Sequence, residues 1–213
     1  MNPYLDHIIW ICNDLQHGSQ SFEELTGVRP TFGGTHASGL THNALVPLGG
    51  RSYLEILAPT GAASAADDAW CRFARQAHEP LLFTYCMRSP QPLVDLAAQA
   101  HALGCSLATV GGNGRITPEG VQLRWKWTQP THEQFGLALP FFIDWQNSAH
   151  PSETVTAAGT AQTIRLRDFA VGHPDTQGLE RLLSQLGVFA ETYAAPTVAF
   201  RLQLDTPRGI VSL

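Results

Sequence analysis

The chain has 213 residues, 44% apolar and 15% charged, with a formal net charge of −5; this composition is typical of a globular protein and excludes a disordered one. Its acidic balance and its lack of a Lys/Arg cluster predict that it binds no nucleic acid, and no apolar stretch is long enough to predict a membrane span. Because there is no signal-peptide pattern and no C-x-x-C pair, we expect a cytoplasmic protein whose four cysteines are reduced and buried.

A pattern of apolar strand, polar turn and amphipathic helix occurs three times, and each copy closes on a glycine. The predicted strands are Leu5–Cys12, Leu81–Met87 and Thr163–Val171, and the closing glycines are Gly27, Gly104 and Gly187. The glycines are almost evenly spaced along the chain. Self-similarity of this kind indicates repeated structural units.

Further strands are predicted after each helix. In the first unit they are an irregular strand in Thr31–Gly39 and a hairpin of Asn43–Leu48 and Ser52–Ala58. In the second unit we predict helices at Asp67–Ala77 and Pro92–Leu103, a turn at Gly111–Gly114, and strands at Ser106–Val110, Val121–Thr128 and Leu137–Trp145. The third unit ends in a hairpin of Val198–Leu204 and Gly209–Leu213. Because one helix covers only one sheet face, the other face must pack on a partner unit or line a cleft.

The predicted protein is therefore α+β and consists of three units. Residues 1–66 form the first module and residues 67–147 the second, each with the order βαβββ. Residues 148–162, rich in Ala, Thr and Ser, form a linker, and residues 163–213 form a C-terminal βαββ half-module. Alone, this half-module would bury little apolar surface, so we expect it to pack on the sheet or on a second subunit. Exposed strand edges would allow a homodimer.

Two ionisable side chains lie within otherwise apolar predicted strands. Alternate side chains of a strand share a face, so Glu55 points the same way as Tyr53, and His7 lies among apolar neighbours on the first strand. An ionisable group in such surroundings is costly unless it pairs or binds a cation. Three arrangements stay open: His7 bonded to a backbone carbonyl, Glu55 paired with Arg51 or with His7, and both side chains holding a cation.

The segments around these two residues resemble a known family. Leu5–Trp10 and Tyr53–Pro59, with the helix end Phe22–Gly27 and the hairpin turn Leu48–Arg51 between them, are similar to glyoxalase-like proteins of the vicinal oxygen chelate superfamily. Leu139–Trp145 of the second unit fits the same proteins. The resemblance implies paired βαβββ modules whose mixed sheet curls around a cleft. It also implies a divalent metal, held by a first-strand residue and a last-strand glutamate of each module and chelated by neighbouring oxygen atoms of a substrate.

Carried over residue by residue, the resemblance makes His7 and Glu55 metal ligands in the first module. An imidazole with a carboxylate suits Zn, Ni, Fe, Mn or Co ions. In the second module Thr84 stands at the position of His7. Asp144 is the only carboxylate that could replace Glu55 there, and alternation makes Phe142 equally suited to that place. The metal site is therefore incomplete in the sequence.

Candidate substrate-binding residues come from both modules. Alternation turns one of His42 and Asn43 toward the cleft, and Arg124–Trp127 presents cations on one face and aromatic rings on the other, as a half-buried strand also would. The candidates are His42, Asn43, Arg51, Tyr53, Arg124 and Trp125. The predicted apolar walls are Ile9, Tyr53, Leu57, Trp125 and Phe142.

The leading hypothesis is a glyoxalase-like enzyme, which would be a lyase, an isomerase or a dioxygenase. Its metal, held by His7 and Glu55, would polarise a substrate with adjacent oxygen atoms, or Glu55 would act as a general base. The alternative is a non-catalytic protein that binds or sequesters a small molecule and has a degenerate metal site. In both cases we expect a modest organic ligand with one anionic or chelating end and an apolar body.

Overall fold

The structure is a computed structural model that describes residues 4–154 and 164–213, so the end of the predicted linker and Thr163 lie outside the described residues. The first unit contains β1 (Tyr4–Ile11), α1 (Leu15–Thr26), β2 (Thr31–His36), β3 (Thr41–Pro47) and β4 (Tyr53–Pro59). The second contains α2 (Ala69–Gln76), β5 (Leu81–Arg88), α3 (Leu93–Ala102), β6 (Gly111–Ile116), β7 (Gln122–Thr128) and β8 (Phe141–Asp144). The last part contains α4 (Pro151–Thr154), β9 (Arg165–His173), α5 (Thr176–Gln185), β10 (Glu191–Ala194), β11 (Ala199–Thr206) and β12 (Gly209–Ser212).

The first eight strands form a closed barrel in the order β1-β4-β3-β2-β6-β7-β8-β5. In each unit the first and last strands are parallel neighbours, β1 with β4 and β5 with β8. The two units meet through the antiparallel pairs β1–β5 and β2–β6. The structure thus confirms the predicted α+β fold of paired βαβββ modules with a curled sheet.

The register between β1 and β5 relates the two units by an approximate twofold axis. His7 lies opposite Cys86, and Ile9 lies opposite Thr84. A rotation about this axis superposes His7 on Thr84 and Ile9 on Cys86, so it carries one pair onto the other. Thr84 therefore takes the place of His7 in the second unit, as the spacing of the closing glycines predicted.

Aspartates begin three of the helices, because their side chains accept backbone N–H groups that the first turn leaves without partners. Asp14 accepts from the N–H of His17 at the start of α1, Asp68 caps α2, and Asp175 caps α5. Gly27 ends α1 in the left-handed conformation, with φ 76°. Within the described residues no helix combines the length and apolarity needed to cross a membrane.

Alternation along the barrel strands separates two apolar layers. Side chains such as Ile9 and Leu57 point into the barrel. Side chains such as Ile8 and Ile56 point outward, where they pack with Phe22 of α1 and with apolar residues of α3 and of the C-terminal unit. Each fully buried side chain of this size contributes about 1.5–3 kcal/mol. The inner layer is where a cavity can form.

The C-terminal unit forms a second sheet, in the order β10-β9-β11-β12, against the outside of the barrel. The ring of Tyr85 on β5 lies 5.2 Å from Phe169 of β9 and 6.1 Å from Phe200 of β11. The unit also contains β10, a short strand that the sequence did not predict, so its order is βαβββ. The domain boundaries and the homodimer stay predictions.

One predicted turn is a strand. Gly111–Gly114 begins β6, and 105–110 contains no strand. A Cβ on Gly114 would lie 2.6 Å from the carbonyl oxygen of Leu123, so glycine allows the close approach of β6 to β7. The turn lies later, at Gly120, whose φ is 82°.

Candidate active site

A cavity of about 300 Å³ lies at the inner face of the barrel. Its polar lining includes five side chains that contact one another: His7, His36, Asn43, Glu55 and Arg115. Most of the remaining lining is apolar or aromatic. A small, mostly apolar cavity with a few convergent polar groups is the usual form of a small-molecule site.

A β-bulge in β1 places His7 and its neighbour. Leu5 pairs with Met87 and His7 with Cys86, so Asp6 is an extra residue on β1. A bulge re-aims the side chain of the extra residue. Strict alternation along β1 would turn Asp6 away from His7, but Oδ1 of Asp6 lies 2.7 Å from Nδ1 of His7.

Asp6 is a fully buried carboxylate with three partners. Besides His7, Trp145 donates its Nε1–H to Oδ2 at 2.9 Å, and Nε2 of His150 lies 3.1 Å from the same oxygen. Burial disfavours the charge of Asp6, but the hydrogen bonds with His150 and His7 outweigh burial and hold the pKa of this carboxyl well below its usual range. An ionised Asp6 accepts a hydrogen bond from Nδ1–H of His7, which leaves Nε2 as the ring nitrogen that faces the cavity.

Glu55 lies in the middle of β4 and is 5% exposed. Asn43 donates its Nδ2–H to Oε1 at 2.6 Å. Nε2 of His7 lies 3.4 Å from Oε2, and Nε2 of His36 lies 3.6 Å from Oε1. Both distances exceed the range of about 2.7–3.2 Å that is usual for a hydrogen bond. The two imidazoles thus face one carboxylate from further away than a direct hydrogen bond.

His36, at the end of β2, is a site residue that the sequence interpretation missed. Nδ1 of His36 lies 2.6 Å from Oγ1 of Thr41, and Nε2 faces Glu55. Burial lowers the pKa of His36, against an opposite effect of Glu55, so the ring is neutral at pH 7. The prediction of an irregular segment at Thr31–Gly39 assigned no face to His36. The available signal was that His36 and Thr41 flank a tight turn.

Arg115 of β6 adds a buried cation, which is 4% exposed. Its Nη1 donates to Oδ1 of Asn43 at 3.0 Å, so Asn43 links Arg115 to Glu55. Gly33 leaves the room for this link, because a Cβ there would lie 2.3 Å from Oδ1 of Asn43 and 2.8 Å from Nη1 of Arg115. Arg115 was missed because the first four residues of its strand, Gly111–Gly114, were predicted as a turn and Arg115 itself was assigned to no strand.

The donor set of His7, His36 and Glu55 fits a divalent transition metal. Two imidazole nitrogens and a carboxylate are common ligands of Zn and Fe. Ligand atoms that each lie about 2.0–2.1 Å from a tetrahedral ion are about 3.4 Å apart. The observed separations from the carboxylate, 3.4 and 3.6 Å, are close to this value, but they run to different oxygens. The three donor atoms do not all lie within 4.8 Å of one another, so the imidazoles would have to draw together around an ion. Asp6 and Thr41, at the other ring nitrogens, are partners of the kind that orient metal-binding histidines.

A second group of potential ligands is formed by Asp6, His7 and Cys86, whose donor atoms lie within 4.8 Å of one another. Both oxygens of Asp6 are already engaged by hydrogen-bond partners. Burial raises the pKa of the Cys86 thiol well above its usual value, which disfavours the thiolate that metals bind. Of the three, only His7 lines the cavity. The group centred on Glu55 is the one that a substrate can reach.

The second unit carries an aromatic ring where the first carries Glu55. Ile9 pairs with Glu55 on β4, and Cys86, which takes the place of Ile9, pairs with Phe141 on β8. Phe141 therefore occupies the position equivalent to Glu55. Its ring packs edge-on against His7, with 5.3 Å between the ring centroids.

Asp144 and Phe142, the two residues predicted for that position, lie elsewhere. Asp144 is exposed at the end of β8, where its Oδ1 accepts the N–H of Gln146, and the structure does not bring it to the metal donors. Phe142 points to the outer apolar layer. The cause is the register of β8, which the sequence does not define. The cavity wall predicted at Phe142 is supplied by Phe141.

The structure separates the predicted substrate-binding residues into two sets. Asn43, Tyr53 and Trp125 line the cavity, whereas His42, Arg51 and Arg124 do not. His42 lies on the opposite face of β3 and borders a groove beside α1. Arg51 is exposed and pairs with Glu153 at 3.3 Å, and Arg124 is exposed on the outer face of β7. Long cationic side chains at such places remain solvated, which removes any need for a partner in the cleft.

Tyr53 stacks on the ring of His7, with 4.7 Å between centroids and an interplanar angle of 18°. Burial raises the pKa of Tyr53 well above its usual value, so the phenol stays neutral. A neutral ring stacked on the imidazole restricts its rotation. Tyr53 thus acts with Asp6 to fix the direction of Nε2 of His7.

Known proteins resemble this chain in sequence and in fold. Residues 5–187 match the family model of the glyoxalase-like domain. None of the curated proteins matches significantly. A hypothetical protein from Staphylococcus aureus has a similar structure, with a TM-score of 0.68 and 12% identity over 100% of this chain and 98% of its own. A mutant 4-hydroxymandelate synthase from Streptomyces coelicolor gives a TM-score of 0.53 and 10% identity over 100% of this chain and 63% of its own. A single-residue variant of methylmalonyl-CoA epimerase from Streptomyces coelicolor gives a TM-score of 0.47 and 19% identity over 67% of this chain and 94% of its own. At these identities the structural likeness concerns the fold alone.

Proposed function

Because the chain belongs to the glyoxalase-like domain family, we propose that it is a small-molecule enzyme that holds a divalent metal with His7, His36 and Glu55. Its substrate presents two neighbouring oxygen atoms to that metal. The family match includes all of the barrel strands except Tyr4, and therefore every residue of the candidate site.

The observation that carries the proposal is the approach of two imidazoles to one carboxylate. With their Nδ1 atoms at Asp6 and Thr41, His7 and His36 turn their Nε2 atoms toward Glu55. Nitrogen lone pairs aimed at a buried carboxylate would repel it, and a cation among them would remove that repulsion. A divalent cation would satisfy all three donors at once.

The chain's own residues position the substrate and protect the reaction. Asn43 holds Oε1 of Glu55, and Asp6 and Tyr53 fix the His7 ring, so the donors are preorganised before substrate arrives. The aromatic walls lower the polarity of the cavity, which strengthens electrostatic interactions within it. A bound divalent metal supplies Lewis acidity that stabilises negative charge on substrate oxygens. In the alternative without a metal ligand role, Glu55 is the carboxylate that takes a proton from the substrate.

Lyase, isomerase and dioxygenase reactions all fit such a site. The type of the three donor residues decides which reaction should be assayed first. Two histidines and a carboxylate with open positions are the ligands that non-haem Fe(II) oxygenases use. The first assay is therefore dioxygen consumption by the Fe(II)-loaded protein with catechols. The second is isomerisation or elimination of hydroxy-ketones by the Ni- or Zn-loaded protein.

The second candidate function is non-catalytic binding of a small molecule in the same cavity. One observation favours it: Thr84 and Phe141 occupy the positions equivalent to His7 and Glu55, so the second unit supplies no ligand at either of them. In that case the cavity retains its aromatic walls but holds no metal.

Metal analysis separates the two functions. Protein purified without chelator, or reconstituted with each candidate ion, should hold close to one equivalent of metal. His36→Ala and Glu55→Gln should lose it, whereas Cys86→Ser should keep it. His42→Ala, on the opposite face of β3, is the matched control for His36→Ala. Failure of the wild-type protein to retain or rebind any of the ions would contradict the metal enzyme. Loss of metal from Cys86→Ser would instead place the ion at the group formed by Asp6, His7 and Cys86.

A further inference from the structure

Arg115 is a buried cation without a counter-ion among the described residues. Its Nη1 donates to the neutral amide of Asn43, and its Nε has no hydrogen-bond partner. Arginine cannot lose its proton in a protein, so it cannot avoid the cost of burial by becoming neutral. A buried charge without a partner is strongly unfavourable. The only carboxylate that it reaches through a described hydrogen-bond link, Glu55, is separated from it by the amide of Asn43, so the guanidinium can pair directly with an anion from outside the chain.

The position of Arg115 defines where that anion binds. The side chain lines the cavity and is joined to Glu55 through Asn43, with hydrogen bonds of 3.0 and 2.6 Å. An anion paired with Arg115 therefore lies one amide group away from the proposed metal donors. The anionic group and the chelating oxygens of the ligand must be close together.

The charge of the lining favours a carboxylate over a phosphate. Arg115 is the only Lys or Arg among the described residues that line the cavity, and the lining also contains the carboxylates of Glu55 and Asp68. A phosphate group carries close to two negative charges at pH 7 and would be repelled by these carboxylates. A carboxylate carries one charge and matches the planar guanidinium.

Aromatic rings form the rest of the lining. Four of the five tryptophans of the chain line the cavity, together with Phe141 and Tyr53: Trp70, Trp125, Trp127 and Trp145. The centroids of Trp125 and Trp145 are 5.2 Å apart, and those of Trp70 and Phe141 are 5.8 Å apart. Flat apolar walls bind a flat ring by stacking and by edge contacts. A volume of about 300 Å³ has room for a molecule with a single ring.

From these observations we propose that the natural ligand is a small aromatic carboxylic acid whose carboxylate pairs with Arg115 while its ring packs against the tryptophans. This assignment deepens the proposed function, on which it rests, by naming the substrate class. The cation comes from β6, whereas the sequence had offered Arg51 and Arg124, which lie outside the cavity. Binding of the acid by Arg115 does not itself require the metal.

The test is a titration of metal-free protein with small ligands, in which binding is measured by tryptophan fluorescence and by calorimetry. The probes are benzoate, neutral benzamide, cyclohexanecarboxylate and inorganic phosphate. We expect benzoate to bind at least about tenfold more tightly than benzamide, because the amide lacks the negative charge and the second accepting oxygen that pair with the guanidinium. Cyclohexanecarboxylate should bind more weakly than benzoate, and phosphate should not compete. Equal affinity for benzoate and benzamide, or tighter binding of phosphate, would overturn the proposal.

Two arginine variants locate the anion site. Arg115→Gln keeps a donor for Asn43 and removes the charge, so benzoate should bind at least about tenfold more weakly. Arg124→Gln, an exposed cation on the neighbouring strand β7, should bind benzoate as the wild type does. Unchanged affinity in Arg115→Gln would refute the assignment.

A stability measurement distinguishes ligand binding from a structural role. If Arg115 awaits an external anion, the ligand-free Arg115→Gln protein should unfold at the same temperature as the wild type or higher. A lower midpoint, or failure to fold, would mark Arg115 as a structural cation and count against the proposal. All these titrations use chelator-treated protein. Their outcome therefore does not depend on whether the protein binds a metal. If added metal tightens the binding of 2-hydroxybenzoate but not that of benzoate, both the metal site and the carboxylate site at Arg115 are supported.

Discussion

Replacement of Gly33 by alanine tests whether the link from Arg115 through Asn43 to Glu55 holds the candidate site together. Gly33 has an ordinary negative φ, so an alanine there causes no backbone strain. The new Cβ would lie 2.3 Å from Oδ1 of Asn43 and 2.8 Å from Nη1 of Arg115. Contacts this short do not occur in folded proteins, so these groups must move.

The magnitude follows from what that movement breaks. Asn43 is 1% exposed and cannot turn toward solvent, so displacement of its amide weakens its hydrogen bonds to Glu55 and Arg115. A hydrogen bond to a charged group contributes about 1.5–3 kcal/mol, and overpacking of a core costs about 1–3 kcal/mol. Since Arg115 can relax in part, we expect Gly33→Ala to lower the free energy of unfolding by about 3 kcal/mol. For a chain of this length that corresponds to a fall of about 6–12 °C in the melting midpoint.

The assay is thermal and denaturant unfolding in the presence of chelator, so that metal binding makes no contribution. Gly112→Ala is the matched control, because Gly112 lies on β6, is exposed, and would place its Cβ 4.0 Å from the nearest atom, a carbonyl oxygen of Trp125. The control should differ from the wild type by less than about 0.5 kcal/mol. If Gly33→Ala were as stable as Gly112→Ala, the link would not contribute to the stability of the fold.

Three further predictions concern other parts of the molecule. Asp6→Asn should weaken metal binding about 10–100-fold, because an amide cannot replace the charge at Nδ1 of His7; chelator competition measures this, with exposed Asp144→Asn as the control. Asp175→Ala should lower the unfolding midpoint at pH 7, and by progressively less as the pH falls below about 3.8. The backbone N–H in the first turn of α5 lowers the pKa of Asp175, so its stabilisation is present above about pH 3.8 and disappears as pH falls through the folded-state pKa. A fragment of residues 1–150 should melt below the full chain, because the outer face of β5 would be exposed; equal melting curves would show that the third unit is dispensable.

The sequence was sufficient to predict the elements whose faces are defined by alternation. β1 and β4 are almost entirely apolar, so His7 and Glu55 stood out, and both strands line the same cavity in the structure. The repeated strand–turn–helix pattern predicted the paired modules, and it also predicted Thr84 at the place of His7, as the register of β1 with β5 has it. These inferences depend on local periodicity, which a single chain displays directly.

The remaining site residues depend on features that periodicity does not contain. The bulge at Asp6 exists only in the pairing of β1 with β5, and alternation alone turned Asp6 the wrong way. β6 begins with three glycines in four residues, a composition typical of turns, so Arg115 had no predicted strand. His36 owes its direction to Thr41, across a turn that ends an irregular strand. In each case a contact between elements, and not the composition of one element, places the side chain.

The approximate twofold axis of the barrel explains why the cavity has two unlike ends. Equivalent strands of the two units face each other, so each ligand position exists twice. The first unit retains donors at both of its positions, whereas the second has Thr84 and Phe141, which leave one polar end and one aromatic end. The second unit supplies no ligand at its two equivalent positions. The polar end instead receives two further side chains from the junction of the units, where β2 pairs with β6. There His36 adds a second imidazole from the first unit, and Arg115 adds a cation from the second. Because the donors and the cation come from different units, a ligand that engages both must bridge the junction where the barrel closes.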